Sequence, residues 1–430
     1  MATLVFSTIG TILGGPVGGA IGALIGQSID EQVLGPSQRG PKVGDLSVQT
    51  SSYGTQMPRI FGAMRIAGSV VWSTDLMQSE QTSGAKGQPD TTFSYKVSFA
   101  VALSSRRAGG VGRIWADGKL LRGVEGDFKV PVVFRFHDGS EDQTADPLIA
   151  SLEGIGTTPA YRGLALAVFE DLELAEYGNR IPFLTFELVA DDAAPTVGAI
   201  LDDLSGGAIA ADAGRTVAGF AAYGRSMRAA AEPLVQMFDL PLFDDGEVVR
   251  APASAVPIAI DADDLGQSID GQEPVRIRRE QPGVRSLPAR LRLRYYDPER
   301  DYQSGEARAS VGDQAGTESE RELPAVITAG EAKALAQQVL AGAWLGRERV
   351  HNSLPPAPAG LEPGSVVALP ITPERWRVEK VTVEGFVAAA ELKPWSAESL
   401  GAVVADAGRA AVAVDEAGGD VVLALVDAAA

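Results

Sequence analysis

The side chains best suited to chemistry are few in this sequence and widely separated. The two histidines, His137 and His351, lie near turn signals, and there is no cysteine. Without thiols the chain cannot form disulfides, thiolate zinc sites or iron–sulfur clusters. We therefore expect both imidazoles to be solvated or hydrogen-bonded side chains rather than metal ligands. The sequence predicts neither a metal site nor a cofactor.

Clustered carboxylates are the next candidates. Asp261, Asp263 and Asp264 stand close together, but a calcium loop needs ligands at alternating positions and a later glutamate. This cluster is expected at the start of a short helical turn. Asp202 and Asp203 are expected on the solvated side of a helix rather than as a general acid and base. Carboxylates that cleave glycosides need no fixed spacing in sequence, so the 56 acidic residues leave a carbohydrate-active enzyme open as an alternative.

Sequence motifs and net charge narrow the function further. No segment matches the nucleophile elbow, the zinc-protease helix or the phosphate-binding loop. The net charge of −19 argues against a protein that wraps nucleic acid, since phosphate binding needs clusters of Lys and Arg. Arg290, Arg292 and Arg294 alternate with leucines on a predicted strand. In so acidic a chain, we expect them to pair with neighbouring carboxylates or with a partner subunit.

The first 29 residues carry no charged side chain, and glycine recurs there at every fourth position. These glycines are Gly10, Gly14, Gly18, Gly22 and Gly26. On a helix, this spacing makes a smooth face against which another helix can pack closely. We interpret the five glycines as candidate contacts in an assembly or in a membrane.

Three interpretations of this N-terminal segment stay open. It is long enough to cross a bilayer as part of a transmembrane helix pair. It is also suited to a flexible arm that docks on a partner, or to a helical plug built from several copies. The glycines and Pro16 weaken an isolated helix, which favours order gained by packing in an assembly. A secretory signal is not expected, because no basic residue precedes the apolar stretch and Asp30 and Glu31 follow it directly.

From about residue 44 to 190, the sequence has the patterns of antiparallel β-strands. Residues 93–103 alternate apolar and polar side chains, which predicts one buried and one solvated face. Asp117 and Gly118 separate two short apolar runs, a strong hairpin signal. Two further strands are predicted over 164–169 and 183–188, joined by a short polar link. These features predict a β-barrel or β-sandwich.

After Pro195 the pattern changes to helices mixed with short strands. Thr196 and Ser226 are predicted helix N-caps, and Pro233 is expected to kink or restart the second helix. Thr328 and Glu331 fit a capping box at the start of a longer helix. Several short strands return after residue 349.

Seven stretches, in this order along the chain, resemble one known family. They are Asp138-Gly139-Ser140-Glu141-Asp142-Gln143, Asp146-Pro147, Tyr161-Arg162-Gly163, Gly178-Asn179-Arg180-Ile181-Pro182, residues 291–309 (LRLRYYDPERDYQSGEARA), Leu361-Glu362-Pro363-Gly364-Ser365-Val366-Val367 and Trp376-Arg377-Val378. Together they resemble the tail-tip hub proteins of long-tailed phages and gene transfer agents, often labelled host specificity or baseplate hub proteins. The resemblance extends over residues 44–390.

The resemblance and the sequence patterns together imply a multi-domain fold that is mainly β with α+β parts. Two β-barrel-like hub domains, a small α/β domain and a hydrophobic N-terminal helix are expected. The expected segments are 1–35 (glycine zipper), 44–190 (first β hub domain), 195–255 (small α/β segment), 256–325 (β domain) and 326–430 (helix plus second β-barrel-like domain).

The resemblance also implies a non-enzymatic, structural function. In this family the hub is a homotrimer whose paired domains form a pseudo-hexameric ring, which fits a sixfold tail tube to a threefold tip. The implied partners are the distal tail protein, the tape-measure protein and other tail-tip proteins, with DNA passing through without sequence-specific binding. The resemblance further implies that the chain is assembled in the bacterial cytoplasm and ends at the tail tip of the virion. Contact with the host envelope is left open. A membrane-anchored binding protein that uses the glycine-rich helix is the main alternative.

Deletion of residues 1–35 tests the assembly interpretation of the glycine segment. We expect the deletion to impair particle assembly or infectivity, because the packed glycine face would be lost. Particle yield and transfer of genetic material to recipient cells measure the effect. Unchanged assembly and infectivity would contradict the interpretation.

Overall fold

The computed structural model describes residues 56–83, 90–211, 214–251, 256–268, 276–284, 287–312, 317–355, 361–396 and 403–408. The strands are β1 Arg59–Ala67, β2 Ser69–Ser73, β3 Met77–Ser83, β4 Asp90–Ser104, β5 Gly110–Ala116, β6 Lys119–Arg122, β7 Val133–His137, β8 Ala165–Glu173, β9 Leu184–Val189, β10 Ile209–Ala210, β11 Gly219–Ala222, β12 Phe243–Asp244, β13 Val249–Arg250, β14 Ile258–Ala259, β15 Arg278–Glu280, β16 Pro288–Asp297, β17 Gln303–Ser310, β18 Thr317–Val326, β19 Arg349–Leu354, β20 Val366–Ala368, β21 Arg375–Glu384 and β22 Val387–Trp395. The helices are α1 Pro147–Glu153, α2 Val197–Ser205, α3 Met227–Met237 and α4 Ala329–Leu345.

An eight-stranded sheet and a five-stranded sheet form the first part of the fold. The larger sheet has the order β17-β16-β18-β11-β1-β9-β5-β6, and the smaller has β2-β4-β8-β7 with β3 paired to β4. The pairing is antiparallel except between β16 and β18. The predicted Asp117–Gly118 turn joins β5 to β6, with both residues in the left-handed conformation that a tight hairpin needs.

The β1–β9–β5 part of the large sheet packs against the five-stranded sheet as a sandwich. Phe99 and Phe169 are neighbours on β4 and β8, with their ring centroids 5.0 Å apart. Phe186 of β9 reaches Phe169 from the opposite sheet at 6.1 Å. The two strands predicted over 164–169 and 183–188 therefore lie in sheets that face each other, and their inward side chains are fully buried.

The solvated face predicted for β4 is wrong. Ala100 and Ala102, on the face opposite Phe99, are also buried. A small second core covers them, built from Ile149 of α1 and from Leu166 and Val168 of β8. Small alanines let the helix approach the strand, and alternation alone does not reveal such a cover.

The other end of the large sheet is covered by helices. Leu291, Leu293 and Tyr295 of β16 point into a core shared with α2, α3 and α4. The predicted caps at Thr196, Ser226 and Thr328 are all present, the last as a full capping box. The helix α2 thus begins at the predicted residue.

The expected restart at Pro233 is wrong, because α3 runs through this residue as one helix. The expected kink stays a prediction. A proline at this point removes only the hydrogen bond to the carbonyl of Ala229, four residues earlier. Ala229 is exposed, so water can take that bond. The buried side of α3, with Leu234 fully inside the core, keeps the helix in place.

A six-stranded sheet and a three-stranded sheet complete the described chain. The six-stranded sheet has the order β14-β20-β21-β22-β19-β15 and its own core around Trp376, Val378 and Leu392. The small sheet has the order β10-β13-β12, and its residues Ile209 and Val249 join the helical core.

The expected fold class, mainly β and multi-domain with α+β parts, is confirmed, but the barrel-like shape is not. Within the described residues every sheet has two open ends. The reason is that β1 pairs with β11 over Arg59–Gly62, so the sheet continues into β18, β16 and β17 rather than turning back on itself. The large sheet contains strands from before and after the predicted domain boundaries near residues 190 and 255. The positions of the domain boundaries stay a prediction.

The strand β1 changes partner at Gly62. Its first residues pair with β11 and its later residues pair with β9. At this point the backbones nearly touch: an added Cβ on Gly62 would collide with the carbonyl oxygen of Ala218, and one on Gly219 with that of Ala63. Gly62 also has a φ of 64°, which strains any other residue. Only glycine fits these two positions without moving the backbone.

The substitution Gly219→Ala is therefore expected to lower the free energy of unfolding by more than about 1 kcal/mol, because the methyl group must displace β1. Gly110→Ala in β5 is the matched control, since an added Cβ there meets no atom within 4 Å. Urea unfolding monitored by circular dichroism measures both variants. Equal stability of the two variants would contradict the close-contact argument.

Candidate functional site: the motif loops and the polar clamp

The first motifs singled out in the sequence come together at one end of the five-stranded sheet. Gln143, 6% exposed, accepts a hydrogen bond from the backbone N–H of Gly139 at 2.6 Å. Its side-chain amide donates to the carbonyls of Ala160 and Tyr161 at 2.7 and 3.0 Å. Gly163 N–H donates to the carbonyl of Gly139, which closes the arrangement. We name residues 138–147 and 160–163 the motif loops.

Asp146 anchors the motif loops to the sheet. Its side chain is fully buried and caps α1 by accepting from the N–H groups of Leu148 and Ile149. Arg135 Nε lies 2.8 Å and His137 Nε2 lies 2.9 Å from its Oδ2 atom. Burial raises the pKa of Asp146, but the hydrogen bonds from Arg135, His137 and Ile149 outweigh this and lower it.

This carboxylate is therefore held ionised in a fixed position. His137, one of the two candidate histidines, is hydrogen-bonded as expected. The arrangement fixes the end of β7 to the start of α1, because the Asp146 carboxylate accepts hydrogen bonds from both segments. Its role is therefore structural.

A second polar group joins distant parts of the chain, and we name it the polar clamp: Arg113, Glu187, Asp301 and Tyr302. Arg113 on β5 donates to Glu187 on β9 at 2.9 Å and to Asp301 at 2.5 Å. The Tyr302 hydroxyl donates to the other oxygen of Glu187 at 3.0 Å. The turn between β16 and β17 is thereby bound to the sandwich part of the large sheet.

The turn that carries Asp301 and Tyr302 is shaped by its own sequence. Asp297 is fully buried and accepts from the N–H of Glu299, and its backbone carbonyl accepts from the N–H of Tyr302. Asp301 and Tyr302 both have left-handed φ angles, of 52° and 59°. Such a conformation costs non-glycine residues about 1–3 kcal/mol each, so the clamp must hold it in place.

Burial and charge set the ionisation of the clamp. Burial raises the pKa of Glu187, but hydrogen bonds and the charge of Arg113 outweigh it, so the net pKa is lowered. The pKa of Tyr302 is raised by burial and by the neighbouring Glu187 carboxylate. Next to the clamp, Arg65 lies over the ring of Trp115 at 3.8 Å, and burial lowers its pKa to about 10.

A third ion-pair group ties loops to β1. Arg106 contacts Asp191 at 2.9 Å and Asp203 at 3.3 Å, and Arg59 contacts Asp203 at 2.6 Å. Asp203 is therefore half-buried and paired, so its expected place on a solvated helix face is wrong. Both partner arginines come from distant segments, and the helix pattern around Asp203 gives no sign of them. Asp202 is exposed as expected.

The alternating arginines lie on the outer face of the large sheet, opposite the helical core. Arg292 pairs with Glu318 at 2.9 Å, and Arg294 pairs with Glu320 at 2.8 Å, both across to β18. The predicted pairing with neighbouring carboxylates is confirmed for Arg292 and Arg294 but not for Arg290, which has no carboxylate partner among the described residues. Pairs this exposed add little stability each, so the face is available for other contacts.

Other candidate residues are placed as follows. Asp261 to Asp264 sit at a short 3₁₀ helix, Ala262–Asp264, in agreement with the predicted helical turn. In the described part of the chain no cluster of acidic residues and histidines is suited to hold a metal ion. His351 lies 3.6 Å from Glu280 on the neighbouring strand β15.

The five glycines from Gly10 to Gly26 lie outside the described residues, so their role stays a prediction. Among the helices that the structure describes, none has the length and apolarity needed to span a bilayer.

Sequence reasoning found the pieces of the motif loops but missed the polar clamp. The stretch containing Asp301 and Tyr302 was recognised as a motif, and its acidic and aromatic residues in a loop were the available signal. Its partners Arg113 and Glu187 are ordinary outward-facing positions of strands. Nothing in their local pattern separates them from solvated residues.

Comparisons with known proteins agree with this picture. Residues 226–381 match a family model described as "Putative phage tail protein". A chain from the solved structure "Virion of native gene transfer agent (GTA) particle" is similar, with 27% sequence identity and a TM-score of 0.69 over 90% of this chain and 99% of that one. The resemblance to phage and gene transfer agent tail proteins is thereby confirmed.

Two further solved structures are more distant. They are a 43 kDa tail protein of prophage MuSo2 from Shewanella oneidensis (9% identity, 74% of this chain and 97% of that one, TM-score 0.30) and a tail protein from Neisseria meningitidis MC58 (10% identity, 77% and 97%, TM-score 0.33). Both TM-scores are too low to carry a structural argument. No curated protein sequence matches the chain significantly.

Glu187→Gln tests the polar clamp. We expect it to lower the free energy of unfolding by about 2 kcal/mol or more, because the half-buried guanidinium of Arg113 loses the negative charge of its partner. The matched control is Glu173→Gln, which breaks an exposed pair with Lys96 and should cost no more than about 1 kcal/mol. Urea unfolding at neutral pH measures both.

The pH dependence of the free energy of unfolding separates the effect of the Glu187 charge from the effect of its side-chain shape. Its pKa is lower in the folded chain, so its stabilising contribution is complete above the unfolded value of about 4.3 and is lost as the pH falls through the folded value. The stability difference between the natural chain and Glu187→Gln should therefore shrink in acid. A difference that stays constant with pH would show that the charge plays no part.

Proposed function

We propose that this chain is the baseplate hub of a phage-like tail, the component that closes the distal end of the tail tube and forms a ring around the DNA channel. The observation that carries the proposal is the likeness to a chain of a gene transfer agent virion. That likeness covers 90% of this chain and 99% of the other, rather than one motif. By this proposal the chain is located in the virion, at the tail tip, after assembly in the bacterial cytoplasm.

The mechanism of a hub is geometric. Three copies with two β units each would present six similar units to a sixfold tube and a threefold face to the tip. The sandwich and the six-stranded sheet are the two β units that this arrangement would use. Each has its own buried core, and Arg377 on β21 is held to Asp239 near the end of α3 at 2.6 Å. This contact ties the six-stranded sheet to the helical part of the chain.

The proposed partners follow from the same position. The distal tail protein would lie on the tube side, with the tape-measure protein and other tail-tip proteins inside or below the ring. DNA would pass without sequence-specific binding, since a channel lined by carboxylates repels phosphates, and the net charge of −19 supports such a lining. The proposal includes no catalytic step, and turnover of cell-wall polymers by the purified chain would contradict that part.

The N-terminal segment would act within this assembly. The glycine face of residues 10–26 would pack only when several copies meet, either as a plug in the ring or in contact with the host envelope.

Immunogold electron microscopy tests the proposed position. Cells that produce particles are lysed and labelled with an antibody against residues 44–390, and a matching lysate from cells lacking the gene serves as control. We expect gold at one end of tailed particles. Gold on membrane fragments, with bare particles beside them, would overturn the hub assignment in favour of a membrane-anchored protein.

A further inference from the structure

A basic concavity of about 380 Å³ lies at the free edge of the large sheet, where β16, β17 and α4 meet. Four cationic side chains line it, Arg290 and Arg292 of β16, Arg308 of β17 and Lys333 of α4, and we name it the basic pocket. Lys333 reaches round the free edge of the sheet, where its ammonium donates to the backbone carbonyl of Arg308. This bond fixes a positive charge at the rim of the pocket.

The carboxylates around the basic pocket do not balance its charge. Arg292 is shared between Glu318 at 2.9 Å and Glu306 at 3.5 Å, and Arg308 also contacts Glu306. Among the described residues, neither Arg290 nor Lys333 has a carboxylate partner. A pocket with four cations and two paired carboxylates stands out in a chain whose net charge is −19. It is suited to receive a small acidic group.

A matching acidic group lies at the tip of the β12–β13 hairpin, Asp244-Asp245-Gly246-Glu247, which we name the acidic hairpin. All four residues are exposed. Two carboxylates hold the tip in one shape: Asp244 Oδ1 accepts from the N–H of Gly246, and Asp245 Oδ1 accepts from the N–H groups of Glu247 and Val248. Within the part of the chain that the structure describes, Asp245 is the one residue of this tip with a basic partner, Arg250.

The arginines of the basic pocket alternate with Leu291 and Leu293 along β16, so they point away from the core that these leucines share with Val249 of the hairpin strand β13. Lys333 enters the pocket from α4, round the free edge of the sheet.

We propose that the acidic hairpin of one copy of this chain docks into the basic pocket of the next. Two different patches that meet head to tail make a heterologous contact, which generates a ring when the rotation closes. The inference rests on the proposed hub ring for its biological role, but it concerns the isolated chain. Charge pairing of this kind mainly sets specificity and register, while packing elsewhere supplies the remaining affinity.

Phosphate groups are a less suitable occupant. Glu306 and Glu318 pair with Arg292 of the basic pocket, and Glu320 of β18 pairs with the next arginine, Arg294. These carboxylates repel a continuous phosphate backbone, whereas a short hairpin tip can place its charges only where the cations lie.

Charge exchange tests the docking on the purified full-length chain, by sedimentation velocity over a range of concentrations. The pocket variant carries Arg290→Glu and Lys333→Glu, and the hairpin variant carries Asp244→Lys and Glu247→Lys. Each should weaken self-association at least about ten-fold, since like charges then face each other. The chain with all four substitutions should associate again, with its charges exchanged. Association should weaken as salt rises.

The matched control for the pocket variant is Arg225→Glu with Arg228→Glu, which changes the net charge equally at exposed positions around the start of α3. It should associate like the natural chain. Thermal unfolding checks that each variant is folded, and Glu247→Lys alone replaces the hairpin pair if that variant unfolds.

Three results would overturn the docking: a natural chain that stays monomeric, pocket and hairpin variants that associate normally, or a fourfold variant that shows no recovery. Loss of binding to double-stranded DNA in the pocket variant, with self-association unchanged, would assign the pocket to nucleic acid instead. Gold at the tail tip together with any of these results would leave the hub function standing and remove only this contact.

Discussion

The structure depends on the contact of two glycines. At Gly62 and Gly219 the backbones of β1 and β11 approach so closely that neither position has room for a Cβ. This approach lets β1 pair with β11 at one end and with β9 at the other, which joins the sandwich core to the helical core. A wider side chain would separate strands that contribute residues to both cores, such as Phe61 to the helical core and Ile60 to the sandwich core.

Polar groups reinforce this junction from several sides. Asp191 accepts from the N–H of Gly62 at 2.9 Å and pairs with Arg106, so the backbone at the partner change is itself held by an ion pair. The polar clamp links the same sheet to the turn after β16. Each of these contacts joins segments far apart in sequence, which makes the described chain stiff across its sheets. Stiffness of this kind suits the proposed role, in which the chain joins a sixfold tail tube to a threefold tip.

Local signals in the sequence predicted local structure well. The turn at Asp117, the cap at Thr196 and the capping box at Thr328 depend on a few adjacent residues, and all are present. The failures concern distant partners. Asp301 lies 188 residues from Arg113, and Asp203 lies 144 residues from Arg59, so no periodicity in one segment reports the other. The open sheets were missed for the same reason, since the change of partner at β1 is a property of three strands together. The resemblance to phage and gene transfer agent tail proteins was detectable because its motifs are short and local, although the contacts among them are not.

A cryo-electron microscopy reconstruction of the distal end of the particle tests the hub assignment most directly. The account predicts density for this chain in three copies around the channel, with the sandwich and the six-stranded sheet alternating around a pseudo-sixfold ring. Density for the chain along the tail tube, in six equivalent copies per layer, would contradict it. So would its absence from the tip of particles that are otherwise complete.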